Sequence, residues 1–246
     1  MLAPHDPVRV QPEQRLQGPS AAHPLGTDHI GRDVLSRTLY ATRISLGAAA
    51  LATFATLWLG LLVGACAGYF GGPLDEVVSL ATDALLALPG LTLALALAGI
   101  LGPGLGTVLV ALVGVSWVGY SRLFRSTTLS ARRWEFVEAS RALGAGDWRI
   151  LRRHVIPSIL GPLAVLASLD FGSLLLGIAG LSFLGLGVQP PTPEWGAMLG
   201  EGRLVLYSAP HLTIVPGICI VGSVLAANLL GDGLRDQLDP WLATRV

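Results

Sequence analysis

The stretch ALLALPGLTLALALAGILGPGLGTVLVALVGVSWVGYS, residues 84–121, decides the fold because it is long, apolar and free of charge. A helix that crosses a bilayer needs about 20 apolar residues, and this stretch is too long for a single crossing. The Pro and Gly residues of GPGLG at 102–106 interrupt it and are typical of a tight turn. The stretch therefore predicts two membrane spans, at about 80–101 and 106–124, joined by a hairpin.

The composition of the whole chain agrees with a membrane protein. Of 246 residues, 52% are hydrophobic and 13% are charged, whereas soluble domains carry about 25% charged residues. Other long apolar runs predict further spans at about 45–69, 160–184 and 212–231. We therefore expect an all-α, polytopic helical bundle with five spans.

Several other classes of protein are disfavoured by composition. The net charge is zero, and every one of the 16 basic residues is Arg, so the chain lacks the Lys that a nucleotide-binding P-loop requires. The N-terminal stretch has no apolar core typical of a signal peptide. The two cysteines and five histidines are scattered along the chain, which indicates neither a disulfide framework nor a metal site.

The distribution of Arg predicts the orientation. Ten Arg residues fall at the end of the third span, in the segment after it and in the C-terminal tail, against six on the opposite side. By the positive-inside rule, the segment at 125–159 and the tail at 232–246 are cytoplasmic, and residues 1–43 lie outside the cytoplasm. Residues 44–231 then form the transmembrane domain.

The cytoplasmic segment contains EFVEASRALGAGDWRILRRHVIP at 135–157, the most charged part of the chain. WEFVEASRAL has no helix breaker and predicts one short helix, which Gly144 to Gly146 would end. Asp147 is a good N-cap for a second short helix, and Pro157 should stop or kink that helix. The structural alternative is an ordinary solvated loop.

EAS, a glycine six residues after Glu138 and the distal Pro157 resemble the EAA loop of ABC-importer permeases. Three further stretches resemble the dipeptide, oligopeptide and nickel branch of that family: HPLGTDHIGRDVLSR at 23–37, LSFLGLGVQPPTPEWG at 181–196 and GDGLRDQLDP at 231–240. Ser140 departs from the second Ala of the EAA pattern. The resemblance covers nearly the whole chain from about Ala3.

This resemblance implies the type I ABC importer permease (MetI-like) fold. It also implies that the EAA loop docks on a cytoplasmic ATPase subunit, that a second homologous permease subunit completes the pore, and that an extracytoplasmic binding protein delivers the cargo. The chain would bind no cofactor itself, while ATP and Mg²⁺ would be used by the ATPase subunits. The expected location is the cytoplasmic membrane of a prokaryote. Family members usually have six spans, the first lying before the APxDP stretch, which here is residues 3–7.

The resemblance assigns three groups of candidate residues. The ATPase-coupling loop would include Glu138, Ala139, Ser140, Ala142, Leu143, Gly144, Asp147 and Pro157. The N-terminal motif would include Gly26, Thr27, Asp28, Gly31, Arg32 and Asp33. The C-terminal signature would include Gly231, Asp232, Arg235, Asp236, Asp239 and Pro240.

Two acids within the predicted spans need a separate interpretation, because a charge in a membrane is costly and often functional. Asp83 is placed near the end of a span, where interfacial solvation competes with a transport role. Asp170 is placed near the middle of a span, where it would line the transport pathway or hold two helices together by a hydrogen bond.

Cargo and two rival functions stay open at this point. The motifs are compatible with peptides and also with nickel or a metal chelate. An intramembrane serine protease would need Ser182 and His211 as a nucleophile and base. An ATP-independent channel or structural subunit would need no coupling loop, so the EAA pattern argues against it.

Overall fold

A computed structural model describes residues 3–160 and 163–238. Within these ranges the chain is helical, apart from turns and one isolated bridge between Thr27 and Asp33. The α-helices are α1 Val34–Phe70, α2 Gly72–Leu86, α3 Gly90–Leu101, α4 Leu105–Ala131, α5 Glu135–Ala142, α6 Asp147–Ile150, α7 Ile156–Ile159, α8 Leu163–Phe183, α9 Trp195–Gly202 and α10 His211–Leu238. A π-helical turn at Leu151–Val155 joins α6 to α7, and 3₁₀ turns lie at Pro12–Gln14 and Arg203–Val205.

The prediction of an all-helical membrane bundle is confirmed. Four of the described helices, α1, α4, α8 and α10, are long and apolar enough to cross a membrane. Helices α2 and α3 pass the same test only as a pair bent by 90°, so the described spans number four, or five if the pair is one span.

The predicted span at 80–101 is not one continuous helix. The chain instead breaks between Leu86 and Gly90, at Pro89. Proline has no N–H for a helical hydrogen bond, and its ring disfavours helical backbone at the preceding Leu88. The signal was present in the sequence as the dipeptide Pro89-Gly90, inside a run whose apolar character masked it.

Other boundaries differ from expectation at the helix ends. Helix α1 begins at Val34, well before the predicted start, because the Asp33 carboxylate accepts a hydrogen bond from the Ser36 backbone N–H at 2.8 Å and caps the helix. Helix α10 continues past Asp232 to Leu238, into the predicted tail. Asp239 and Pro240 lie outside the described residues.

The described chain divides into two compact units. One comprises Met1–Ala52, Ala94–Leu112 and Phe171–Ala227, and the other comprises Thr53–Leu93, Val113–Asp170 and Asn228–Val246. In the first unit, α9 packs against the C-terminal end of α8 so closely that a Cβ on Gly196 would lie 2.3 Å from the Ala179 carbonyl oxygen.

The second unit contains a seam in which α1 and α4 meet backbone to backbone. The seam is formed by Gly60, Gly64 and Gly68, spaced one helical turn apart. A Cβ on Gly64 would lie 2.2 Å from the Ser121 carbonyl oxygen, and one on Gly68 would lie 2.6 Å from the Arg125 carbonyl oxygen. Small residues allow this approach, which maximises van der Waals contact between membrane helices.

Replacing Gly64 with Ala should therefore force α1 and α4 apart. Overpacking of this kind costs about 1–3 kcal/mol, and we expect a lower midpoint of thermal unfolding for the detergent-solubilised protein. The control is Gly114→Ala in α4, where a Cβ would meet no atom within 4 Å. Equal unfolding midpoints for the two variants would contradict the close seam.

Candidate functional site

The charged loop at 135–157 is built on an apolar base in the second unit. Val137 of α5, Ile150 of α6, and Leu151 and Val155 of the π turn are fully buried. They belong to a cluster that also contains Leu61, Ala65, Tyr69, Phe124, Ala131 and Ile159. Since these last residues include members of α1 and α4, the loop is anchored on the same two helices that form the glycine seam.

The opposite face of the loop is exposed. The exposed side chains include Glu138, Ala139 and Ala142, which share one face of α5. Three large apolar groups are also exposed: Leu143 at 88%, Trp148 at 58% and Phe136 at 46%. We call the exposed residues Phe136, Glu138, Ala139, Ala142, Leu143 and Trp148 the loop face.

The turn between α5 and α6 has a specific glycine requirement. Gly144 has a φ of +82°, its N–H donates to the Arg141 carbonyl at 3.0 Å, and the Ala145 N–H donates to the Ser140 carbonyl at 3.1 Å. This pair of bonds is the Schellman motif, which ends a helix with a left-handed residue. The sequence prediction that glycine ends α5 agrees with this geometry.

The predicted roles of Asp147 and Pro157 within the loop need correction. Asp147 is not the N-cap of the second helix, because Gly146 holds that position and Asp147 is the first helical residue. Its carboxylate instead accepts a hydrogen bond from the Tyr69 hydroxyl at 2.9 Å. Of the two predicted effects of Pro157, the stop is wrong because the helix continues to Ile159, whereas the kink stays a prediction. Pro157 lies just after the π turn, at the first turn of α7, where its missing N–H is tolerated.

The N-terminal motif forms a second polar site, in the first unit. Arg32 and Arg37 are almost fully buried, and both donate through Nη2 to Glu201 Oε2, at 2.7 and 2.9 Å. Arg32 Nε also donates to Asp28 Oδ2 at 2.5 Å. The two cations are thus balanced by two carboxylates, as burial requires. Gly26 and Gly31 have positive φ and approach the backbone of residues 11–18 too closely for a side chain.

Sequence reasoning missed two functional acids of α9. Glu201 accepts from the buried Arg32 and Arg37, and Glu194 caps the helix. The Glu194 side chain is fully buried and caps α9 by accepting from the Gly196 and Ala197 N–H groups, at 3.0 and 2.9 Å, and from the Ser45 hydroxyl at 3.1 Å. An acid directly before a short glycine-containing helix is a sequence signal for such a cap.

The two acids predicted in spans both lie in the second unit. Asp83 accepts from Arg122 Nη2 at 2.7 Å, and both side chains are more than half exposed. A pair this exposed contributes about 0–1 kcal/mol to stability. Asp170 is half-buried, and within the described residues its Oδ2 is buried without a hydrogen-bond partner. A role for either acid in transport stays a prediction.

The C-terminal signature lies on α10. Asp232, Arg235 and Asp236 are exposed, and Gly231 is buried close to Ser168, whose Cβ would lie 2.9 Å from a Cβ on Gly231.

The residues of the proposed protease do not form a catalytic pair. Ser182 Oγ and His211 Nε2 are buried, and within the described residues neither has a hydrogen-bond partner. The hydroxyl of Ser182 is therefore not hydrogen-bonded to the imidazole of His211. This geometry gives no activated nucleophile.

Comparison with protein families decides the class. Residues 36–244 match the model described as the binding-protein-dependent transport system inner membrane component. The chain belongs to this family. It is a multi-pass membrane permease subunit of an ABC importer.

Curated relatives agree over nearly the full chain. The chain is 45% identical to the glutathione transport system permease protein GsiD of Pectobacterium atrosepticum, over 98% of this chain and 80% of the relative. It is 43% identical to the nickel transport system permease protein NikC of Escherichia coli K12, over 98% and 87%. It is 44% identical to the dipeptide transport system permease protein DppC of Alkalihalophilus pseudofirmus, over 95% and 77%.

A solved structure matches the fold. The inward-facing MetNI methionine ABC transporter aligns with a TM-score of 0.62 at 20% identity, over 82% of this chain and 96% of the matched chain. This match confirms the MetI-like fold expected from the resemblance.

Replacing Gly144 with Ala should destabilise the loop. A left-handed backbone costs an L-residue about 1–2 kcal/mol, although a Cβ on Gly144 would meet no atom within 4 Å. The control is Gly146→Ala, whose glycine has an ordinary φ of −68° and similarly open surroundings. We expect limited proteolysis to cut the loop faster only in Gly144→Ala. Equal cleavage rates would show that the turn does not need its left-handed residue.

Replacing Glu201 with Gln should weaken the buried network, because Arg32 and Arg37 would lose the charge they share. Hydrogen bonds to charged groups contribute about 1.5–3 kcal/mol, so the unfolding midpoint should fall measurably. Glu13→Gln is the control, because Glu13 is an exposed acid in the segment before α1 that contains Arg32. An unfolding midpoint for Glu201→Gln as high as that of the control would refute the role of Glu201 as a shared counter-ion.

Proposed function

We propose that this permease subunit imports small peptides, using ATP hydrolysed by separate cytoplasmic ATPase subunits that dock on the loop face. The observation behind the coupling role is an exposed surface bearing Leu143, Trp148 and Phe136, on a loop fixed from beneath by an apolar cluster. Large apolar groups on a rigid, otherwise charged segment are typical of a protein interface.

The geometry of α5 suits this role. Glu138, Ala139 and Ala142 offer one acidic and two small side chains on a single helical face, so a partner's side chains could approach the backbone closely. Gly144 sets the direction in which the chain leaves α5, and Tyr69 holds Asp147 at the start of α6. A push on the loop face would therefore be transmitted to α1 through Tyr69 and the shared cluster.

The remaining assignments follow from this role. The chain has no Lys and thus no P-loop, so ATP and Mg²⁺ belong to the ATPase subunits. A second homologous permease and an extracytoplasmic binding protein complete the importer. We place the complex in the cytoplasmic membrane, with residues 125–159 and 232–246 in the cytoplasm and residues 1–43 outside it.

Peptide cargo is favoured because two of the three relatives above are named for a peptide-like cargo, glutathione and dipeptide. Nickel is the second candidate, because NikC is 43% identical and this chain covers 87% of it. The three sequence identities differ by only two percentage points. A transport measurement is therefore needed to distinguish the candidate cargoes.

The test is ATP-dependent uptake by the assembled importer in proteoliposomes, with labelled dipeptide, glutathione and nickel compared in parallel. Glu138→Lys should lower uptake at least about 10-fold, equivalent to 1.4 kcal/mol of coupling energy, because it reverses charge at the centre of the loop face. Gly144→Asp should act similarly through the strained turn.

The matched control is Glu76→Lys, the same charge reversal at an exposed position of α2. Size-exclusion chromatography would verify that the variants keep their spans folded. Full uptake by Glu138→Lys, or uptake without ATP, would overturn the coupling role and favour a channel. Uptake of nickel alone would replace peptides with nickel as the cargo.

A further inference from the structure

The segment before α1 brings together two histidines and a carboxylate that have no role in the coupling mechanism. One ring nitrogen each of His5 and His23 and a carboxylate oxygen of Asp33 lie within 4.8 Å of one another. His23 and Asp33 are buried, whereas His5 is exposed. The group therefore has a fixed inner part and a side open to solvent.

The two ring nitrogens of His23 face different oxygen atoms, one of Gln14 and one of Asp33. Nε2 lies 2.8 Å from Gln14 Oε1, and since a carbonyl oxygen can only accept, Nε2 carries the hydrogen. In the neutral ring, Nδ1 then has a lone pair, and it faces Asp33 Oδ1 at 2.8 Å. With the hydrogen on Nε2, the Nδ1 lone pair and the Asp33 carboxylate can bind the same metal ion.

His5 repeats the same arrangement. Its Nε2 lies 3.0 Å from the Ala22 carbonyl oxygen, which leaves Nδ1 as the nitrogen with a free lone pair. Histidines that bind metals usually donate their other N–H to a carbonyl or carboxylate, which fixes the tautomer and the ring orientation. Both histidines have this outer support without any metal being invoked.

Asp33 is suited to be an anionic ligand. Its Oδ2 is used in capping α1 by accepting from the Ser36 N–H, at 2.8 Å. Oδ1 faces His23, and no ion pair joins Asp33 to an Arg within the described ranges.

A second group, formed by Asp28, His29 and Glu201, has the same spacing but a different charge balance. Its two carboxylates already pair with Arg32 and Arg37. Cations therefore already occupy the positions that a metal would need. Of the two groups, the one that contains His5 is therefore the better candidate for a metal site.

We propose that His5, His23 and Asp33 bind a divalent first-row transition-metal ion such as Zn²⁺ or Ni²⁺. Two imidazoles and one carboxylate suit these metals, whereas Mg²⁺ and Ca²⁺ prefer oxygen ligands. The bound ion lies between His23 and Asp33. It ties the beginning of the described chain to the N-terminus of α1, where the His5 N–H already donates to Ser36 Oγ at 3.0 Å.

The proposed site rests on the segment before α1 and does not depend on which cargo the importer carries. Sequence spacing gave no indication of it, because residues 5, 23 and 33 are far apart for a local motif and only the folding of the segment brings them together.

The test is metal binding by the assembled importer after chelator treatment, with Zn²⁺ measured by titration calorimetry. Co²⁺, whose visible absorption reports nitrogen and oxygen ligation, serves as a second probe. His5→Asn removes a ligand while keeping the backbone N–H that contacts Ser36. We expect the parent complex to bind one ion per chain at this site with high affinity. In His5→Asn, the affinity of that site for Zn²⁺ should fall at least about 10-fold.

The control is His29→Asn, which belongs to the second group and should leave binding unchanged. Because partner subunits can also bind metal, the result is the difference between each variant and the parent complex. Identical titrations and Co²⁺ spectra for His5→Asn and the parent would overturn the site. Loss of binding in His29→Asn alone would assign the metal to the second group instead.

Discussion

The backbone contact between α1 and α4 is the constraint on which the charged loop at 135–157 depends. Gly60, Gly64 and Gly68 let the two helices meet without intervening side chains. The contact fixes Leu61, Ala65 and Tyr69 of α1 beside Phe124 and Ala131 of α4. These five residues are the platform on which the loop at 135–157 folds. In lipid, where burial of apolar area drives little association, such close packing provides much of the stabilising energy.

The helices could be predicted from the sequence because apolar runs of membrane length have few alternatives. Backbone groups in lipid must be hydrogen-bonded internally, which leaves a helix as the solution for each run. Pro89 was the exception, since a break inside an apolar run does not change its hydropathy. The helix of the loop and its glycine stop could also be predicted, because Gly144 acts through local backbone preference.

Contacts between distant residues were beyond sequence reasoning. Asp147 is a plausible cap by local propensity, but Tyr69, 78 residues away, is the partner that its side chain takes. Local sequence predicts nothing for Arg37 beyond its charge, whereas Glu201, 164 residues away, allows Arg37 to be buried. In each case a long-range partner outweighed the local preference, and a single sequence does not reveal which distant residues meet.

The buried Arg residues also bear on the orientation rule. Arg32 and Arg37 count toward the side opposite the loop, yet in the fold they are neutralised by Asp28 and Glu201. The positive-inside rule concerns the chain as it inserts, when these pairs have not formed, and acidic residues contribute little to it. The arginines therefore count at full weight, and the excess that sets the predicted orientation comes from the density of Arg near the loop.

The loop combines an anchored base with an exposed apolar face, and that combination would reduce the cost of the docking proposed above. Burying side chains such as Leu143 and Trp148 yields about 1.5–3 kcal/mol each, but a flexible loop would lose part of this gain on ordering. Here the Schellman turn at Gly144 and the buried Val137 order the loop before any partner arrives. The same rigidity is what coupling requires, because a force applied to a soft loop would deform the loop rather than move α1. Strength of docking and transmission of force thus depend on one property, the fixed geometry of the segment between α4 and α7.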